Sequence, residues 1–256
     1  MPGMGFTGRA TQKIIIMHKT VSIIRGSSGE DYESFFRRAI QLAEDLRNLR
    51  PAKLHYTITL QRPPRLSVIP FRHDKVALFS ITSGEPGMHR ILQGARGYSG
   101  SYLVKGALPL AREMTWKPGE ASPGLCLLTL FRQKKNIPRE TFIHRWHQGH
   151  TPFTLKVHPI CHYDRNEVVD ALDEAPQWYD GIVEEHCHTG RELLNPFRFF
   201  SKSGLAPVNM IRTYFDVKSF IDYKSIETYL VREFVVVSKP PAAVRSDEPI
   251  ELNEDG

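Results

Sequence analysis

The 256 residues suffice for one large domain or two of about 100 to 130 residues each, and 41% hydrophobic with 24% charged residues excludes disordered, collagen-like and membrane-embedded classes. The net charge of +6 comes from scattered Lys and Arg; the basic clump Arg62, Arg65 and Arg72 is broken by prolines, so nucleic acid is not an expected partner. No apolar run approaches the ~20 residues of a bilayer crossing, residues 1–19 do not read as a cleavable leader, and three cysteines without a C-x-x-C pair suit a reducing compartment, so the chain reads as cytoplasmic with no membrane partner.

After an N-terminal arm (1–19), Thr20–Arg25 alternates like a strand, and Glu30–Leu49 carries Phe35, Ile40, Ala43 and Leu46 at helical spacing. Lys53–Leu60 and Lys75–Thr82 are alternating, β-branched or aromatic strands, separated by a connector with Pro63, Pro64 and Pro70. A short helical piece at Met88–Gln93 and a strand at Tyr98–Val104 complete a β-α-β-β-α-β order over 20–104, the ferredoxin-like arrangement. Residues 105–124, rich in Pro and Gly, read as a linker.

The same order then recurs over 125–237. Leu125–Arg132 is a strand, Pro138 starts a helix carrying Phe142, Ile143 and Trp146 to about His150, and His158–Asn166 and Trp178–His188 are strands. A helical region begins at Arg191–Phe200, Thr228–Val237 is an apolar last strand, and 238–256 is a polar tail. A shift of 107 residues brings Arg25 onto Arg132, Glu33 onto Glu140, Phe35 onto Phe142, Arg38 onto Arg145 and His55-Tyr56 onto His162-Tyr163, as a duplication predicts. The expected fold class is α+β: two ferredoxin-like halves packed sheet to sheet as an intrachain α+β barrel, with a pocket between them.

Seven of the eleven histidines lie between His144 and His188, the main local anomaly of the sequence. His144, His147 and His150 follow one another every three residues, which spreads them around a helix instead of converging them on a metal, and no H-E-x-x-H occurs; neither a metal nor another cofactor is expected. Gly149 and Pro152 place His150 in the last turn of its helix, where an imidazolium is stabilised. Alternation sets Asp180, Ile182, Glu184, His186 and His188 on one strand face and Gly181, Val183, Glu185 and Cys187 on the other, with His158, Ile160 and His162 sharing a face of the preceding strand.

Residues Leu125–Val237 resemble an EthD domain. The likeness rests on Pro138-Arg139-Glu140-Thr141-Phe142 entering a helix with Phe142, Trp146, His150 and Pro152 in a Phe-x3-Trp-x3-His-x-Pro pattern, on Tyr163-x-x-Asn166, on Tyr179-Asp180-Gly181-Ile182-Val183-Glu184, and on Phe220-Ile221-Asp222 and Glu233. It implies a dimeric α+β barrel, here with both halves supplied by one chain, and marks His150, Tyr163, Asp180 and Glu184 as pocket residues. The sequence departs from the family in carrying Glu185, His186 and His188. The first half lacks counterparts of Trp146 and His150, having Ala39 and Ala43 instead, and contributes His55 and Tyr56.

The activity expected from these residues is that of a cofactor-independent lyase or isomerase (dehydration, cyclisation, decarboxylation or retro-aldol type) on a small aromatic or polyketide-like substrate. His150 or His186 takes a proton while Tyr163 or Glu184 serves the oxyanion or leaving group; Asp180, His162, Trp146, His55 and Tyr56 contact the substrate. The alternatives are a non-catalytic carrier of a hydrophobic metabolite and a haem- or metal-dependent oxygenase; a homodimer is compatible with either.

Overall fold

A computed structural model describes residues 17–174 and 177–238. The first part comprises β1 (His18–Arg25), α1 (Tyr32–Asn48), β2 (Lys53–Ile58), β3 (Val76–Ser83), a 3-10 turn (Met88–Leu92) and β4 (Tyr98–Leu110). The second comprises β5 (Leu125–Phe131), α2 (Arg139–His144), a π-helical turn (Arg145–His150), α3 (Thr151–Val157), β6 (Ile160–Ala171), β7 (Gly181–Cys187), α4 (Gly190–Leu194), α5 (Pro196–Phe199), α6 (Ala206–Phe220) and β8 (Glu227–Ser238). Among the described residues no helix is long and apolar enough to cross a membrane.

The eight strands form one closed barrel in the order β1-β3-β2-β8-β5-β7-β6-β4, with every ladder antiparallel. The expected sheet-to-sheet packing is therefore corrected in its detail. The two runs of four strands also join edge to edge, through β2 with β8 and β4 with β6, because an unpaired strand edge buried beside another sheet would leave its N–H and C=O groups without partners. Each run has the same internal order, β4-β1-β3-β2 and β8-β5-β7-β6, and β5, α2 and β6 each start 107 residues after β1, α1 and β2.

Inward-facing side chains fill one core with Val21, Ile23, Leu78, Tyr102, Leu128, Leu130, Ile182 and Tyr229. Outside, α1 covers Leu54, Tyr56, Phe79 and Phe234, while α2 to α6 cover Leu127, Phe131, Tyr163 and Val183. Asp31 caps α1 by accepting from the Ser34 N–H at 2.8 Å, and the stripe that α1 buries is Phe35, Ala39, Ala43 and Leu46. Ile40 stays 40% exposed: one residue past Ala39, it is turned about 100° out of that stripe.

Three further expectations are revised. The linker starts later than residue 105, because β4 continues to Leu110 and pairs with β6. The helix through His150 does not stop there: a π turn opens the ladder, with the Thr151 N–H donating to the Trp146 carbonyl five residues back, and α3 then runs to Val157 with Pro152 in its first turn. Pro152 thus opens a new segment and ends nothing, so His150 is not at a helix C-terminus. α6, of which the sequence showed only a helical region beginning upstream, turns Val208, Ile211 and Phe215 outward at 50–65% exposure, which blurs any apolar stripe. Most of the N-terminal arm and nearly all of the tail lie outside the described residues.

Candidate functional site

The ladder between β6 and β7 sorts the candidate residues onto two faces. His162 pairs with His186 and Asp164 with Glu184, all facing into the barrel, whereas Tyr163 pairs with Glu185 on the outer face. A bulge between Ile160 and His162 turns Ile160 outward, beside Cys187, and not inward with His162. The expected single pocket holding His150, Tyr163, Glu184 and His186 together is corrected accordingly: the sheet separates the first two from the last two, since neighbours along a strand point to opposite faces.

Between the outer face of β5–β7 and the helices lies a cavity of about 470 Å³, within the range of small-molecule sites. Its walls are mostly apolar, and they include Trp146, Phe131, Phe199, Phe200, Val217 and Ile221. Residues Val68, Ile69 and Pro70 of the first half's Pro-rich connector also line it, held in place by the Thr228 hydroxyl donating to the Pro70 carbonyl at 2.7 Å. Gly181 admits Trp146 to the sheet, because a Cβ there would meet Phe131 at 2.3 Å and Trp146 at 2.7 Å.

Three groups of polar residues border this cavity. His150 sets its Nδ1 2.6 Å from Asp216 Oδ2 on α6 and its Nε2 3.2 Å from the Thr154 hydroxyl. Tyr163 is 1% exposed, and burial, reinforced by the charge of Glu185, pushes its phenol well above the ordinary value. His158 lies 3.7 Å from Glu185, and Phe199 and Phe200 pack against its ring.

The inward face carries a second, polar cluster. Glu184 is fully buried, neither carboxylate oxygen has a hydrogen-bond partner, and Oε1 is 3.5 Å from His55 Nε2 on β2. Burial by itself would lower the His55 imidazole, but Glu184 more than reverses this and raises it. Asp164 is held by the Lys19 ammonium at 2.7 and 2.9 Å. Arg112, just past β4, donates to Glu233 at 2.6 Å and lies 3.1 Å from His186 Nδ1, and its backbone N–H meets His162 Nδ1 at 3.3 Å.

Burial also dominates the titration of this cluster, holding His186 down at about 3 and lowering His162. It acts to raise Glu233, but the surrounding His186, His55 and Arg112 overcome it and hold that carboxyl at about 2. His186 is charged only in that acid range, and the permanent cation on Glu233 is the Arg112 guanidinium at 2.6 Å. A cavity of about 750 Å³ opens above the cluster at this end of the barrel, with His55, His162, Asp164, Glu233, Lys19 and Arg112 among its lining residues.

Two of the expected residues reach neither site. Tyr56 faces away from the barrel and stacks on Phe79 and Phe234, since His55 takes the inward position next to it. Asp180 precedes β7 and pairs with Arg139 at 2.6 Å while accepting from the Gln133 N–H, so it ties the start of α2 to the barrel rim. Sequence reasoning missed Asp216, Asp164 and Arg112. Asp164 lies two residues beyond His162, and period-two alternation alone puts it on the same face; Asp216 and Arg112 reach their partners across the fold and have no local signal.

No protein-family model matches the sequence, the EthD model included, and no curated protein matches it significantly. Solved structures do match. An anthrone oxidase-like protein superposes with a TM-score of 0.56 over 89% of this chain and 97% of its own, at 9% identity. A candidate monooxygenase of Fusobacterium nucleatum gives 0.49 over 91% and 98% at 7% identity, and one of Lactobacillus acidophilus gives 0.46 over 87% and 96% at 8%. At 9% identity the likeness to the anthrone oxidase-like protein is one of fold: the chain is an eight-stranded antiparallel α+β barrel of the same kind.

Proposed function

We propose that the outer cavity is the active site of an enzyme that removes a proton from a small aromatic or polyketide-like compound, in a lyase or isomerase reaction. The observation that carries this reading is the 2.6 Å contact between His150 Nδ1 and Asp216 at the wall of a mostly apolar cavity. A carboxylate on Nδ1 fixes the tautomer with Nδ1–H donating, leaves the Nε2 lone pair as the base, and stabilises the imidazolium once the proton has moved. The Thr154 hydroxyl donates to Nε2 in the resting state and turns the ring.

Tyr163 complements that base. Its raised phenol stays protonated at neutral pH, so it donates a hydrogen bond to an enolate or phenolate oxygen as charge develops there. Trp146 and the Phe199–Phe200 pair supply flat apolar surface for an aromatic ring. Dehydration, cyclisation and retro-aldol cleavage use such a base and oxyanion donor, whereas decarboxylation uses the oxyanion donor and takes a proton back onto carbon as CO₂ leaves. Glu184 and His186, on the other side of the sheet, have no part in this scheme. We also read the two four-stranded runs as diverged copies of one ferredoxin-like unit, on the strength of their common strand order and the 107-residue offset.

The test uses anthrone as a carbon acid, the compound class named by the structural neighbour. Wild-type protein should bind it with quenching of tryptophan fluorescence and speed exchange of its acidic C–H in D₂O. His150→Ala and Asp216→Asn should each lower that rate by about 10²- to 10⁴-fold while binding persists. Binding without accelerated exchange in wild type would sink the enzyme reading and leave a carrier.

A further inference from the structure

The interior of the barrel poses a separate problem, independent of the outer cavity. Burying a carboxylate is costly unless a cation or hydrogen-bond donors meet it, yet neither oxygen of Glu184 accepts a hydrogen bond, and its side chain is 1% exposed with the His55 imidazole 3.5 Å away. The fixed cations nearby are already engaged. Lys19 holds Asp164 with two short contacts, and Arg112 binds Glu233 while facing the Nδ1 atoms of both His162 and His186. Glu184 is left with no permanently charged partner, only the His55 imidazole at 3.5 Å.

We infer that the barrel interior binds one divalent first-row transition ion through His55, Asp164 and Glu184. These residues come from three different strands, β2, β6 and β7, and one ligand atom from each lies within 4.8 Å of the others. The set of one imidazole nitrogen and two carboxylates suits Mn²⁺, Fe²⁺ or Zn²⁺, with the ion sharing the Asp164 carboxylate that Lys19 now holds. Further oxygen atoms share the inward face: Thr57 Oγ1, Ser80 Oγ and Asn166 Oδ1 are buried and unpartnered. The mouth cavity, lined by His55 and Asp164, gives a hydrated ion its route in.

A rival triad, His162, His186 and Glu233, has comparable spacing, but Arg112 already fills it. Neither its guanidinium, facing His186, nor its backbone N–H, facing His162, can accept a hydrogen bond, so each imidazole presents its Nδ1 lone pair to Arg112 and carries its proton on Nε2, which removes Nε2 as a metal ligand. Cys126 is also near Glu184 and His186, but burial raises its thiol well above the ordinary value and keeps it protonated.

Chelator-treated protein titrated with MnCl₂ tests the site, with the six-line EPR signal of free Mn²⁺ as the readout. Wild type should remove one equivalent per chain and broaden the His55 imidazole resonances, which requires no variant to fold. Zn²⁺ should compete with Mn²⁺ and raise the melting temperature. Glu184→Gln and His55→Ala should weaken Mn²⁺ binding by about 100-fold or more, with Cys126→Ser and His150→Ala binding as wild type does. Undiminished free-Mn²⁺ signal together with no thermal response to Zn²⁺ in wild type overturns the inference. So does broadening at His150 in place of His55, or unchanged affinity in a folded Glu184→Gln variant.

Discussion

The two ends of the barrel interior are built from the same strands and solve the problem of buried polarity in opposite ways. At the end where β1 finishes, Arg25 donates to Asp74, Glu227, Tyr179 and Tyr229 at 2.7–3.1 Å. Tyr229 donates to Glu227 at 2.6 Å, and Gln177 reaches the same carboxylate at 2.9 Å. At the end where β1 starts, Glu184, Asn166, His186, Thr57 and Ser80 keep polar atoms that are buried and unpartnered. A closed network excludes ligands and works as a plug; an open one has binding capacity to spare. The difference locates ligand chemistry at the Glu184 end and structure at the Arg25 end.

The largest effect of breaking this contrast is expected at the plug. Arg25→Met leaves Glu227, whose side chain is 12% exposed, facing its tyrosines without a cation. Removing one partner of a buried ion pair costs about 3–5 kcal/mol, so urea unfolding should show a loss of that order. A loss below about 1 kcal/mol, the range of an exposed pair, would mean that solvent at Asp74 screens the network.

The ends should also separate by pH. His186 is held at about 3 in the folded protein, below its ordinary value of about 6.5, so its contribution to stability is present above about 6.5 and is lost as pH falls toward 3. His55 is raised and has the opposite sign: its contribution is present below about 6.5 and is lost as pH rises through the folded value. At the plug, burial would raise Glu227 but Tyr229 and Arg25 lower it, so that end weakens only below about 4.5. Between pH 7 and 5 the His186 term amounts to about 2 kcal/mol. His186→Gln should therefore flatten the acid limb of the urea midpoint over this interval while leaving the decline below about 4.5 in place. An unchanged limb would place that titration at another histidine.

How far such a contrast can be read from sequence depends on how local its determinants are. The period of two along 180–188 is enough to put Ile182, Glu184 and His186 on one face, and the 107-residue shift aligns the starts of three elements, because both depend only on neighbours in the chain. Which face is the interior depends on ladders between distant strands, and the bulge at Cys161 adds a one-residue slip that alternation cannot foresee. His150 illustrates the same limit. Its place in a cavity wall follows from a π turn that lets the helix continue into Pro152, and its partner Asp216 lies on α6, a helix without a clear apolar stripe. Arg112 comes from a segment that composition marks only as linker, yet it fills the space between Glu233 and two histidines.

The smallest expected effect is the most pointed, because it falls where burial alone would set the largest side-chain cost. Glu184 is as buried as any residue of the core, and replacing a buried charged partner would ordinarily be severe. In metal-free protein, however, Glu184→Gln removes a carboxylate that had no hydrogen bond to lose and gives an amide of the same shape. The desolvation cost that disappears offsets the weakened attraction to His55 at 3.5 Å, so stability should change by no more than about 1 kcal/mol in either direction. Urea unfolding at pH 8 and pH 6 decides it. A loss of several kcal/mol confined to pH 6 would show that a charged His55 satisfies Glu184 by itself and that this end of the barrel, like the other, is a closed network.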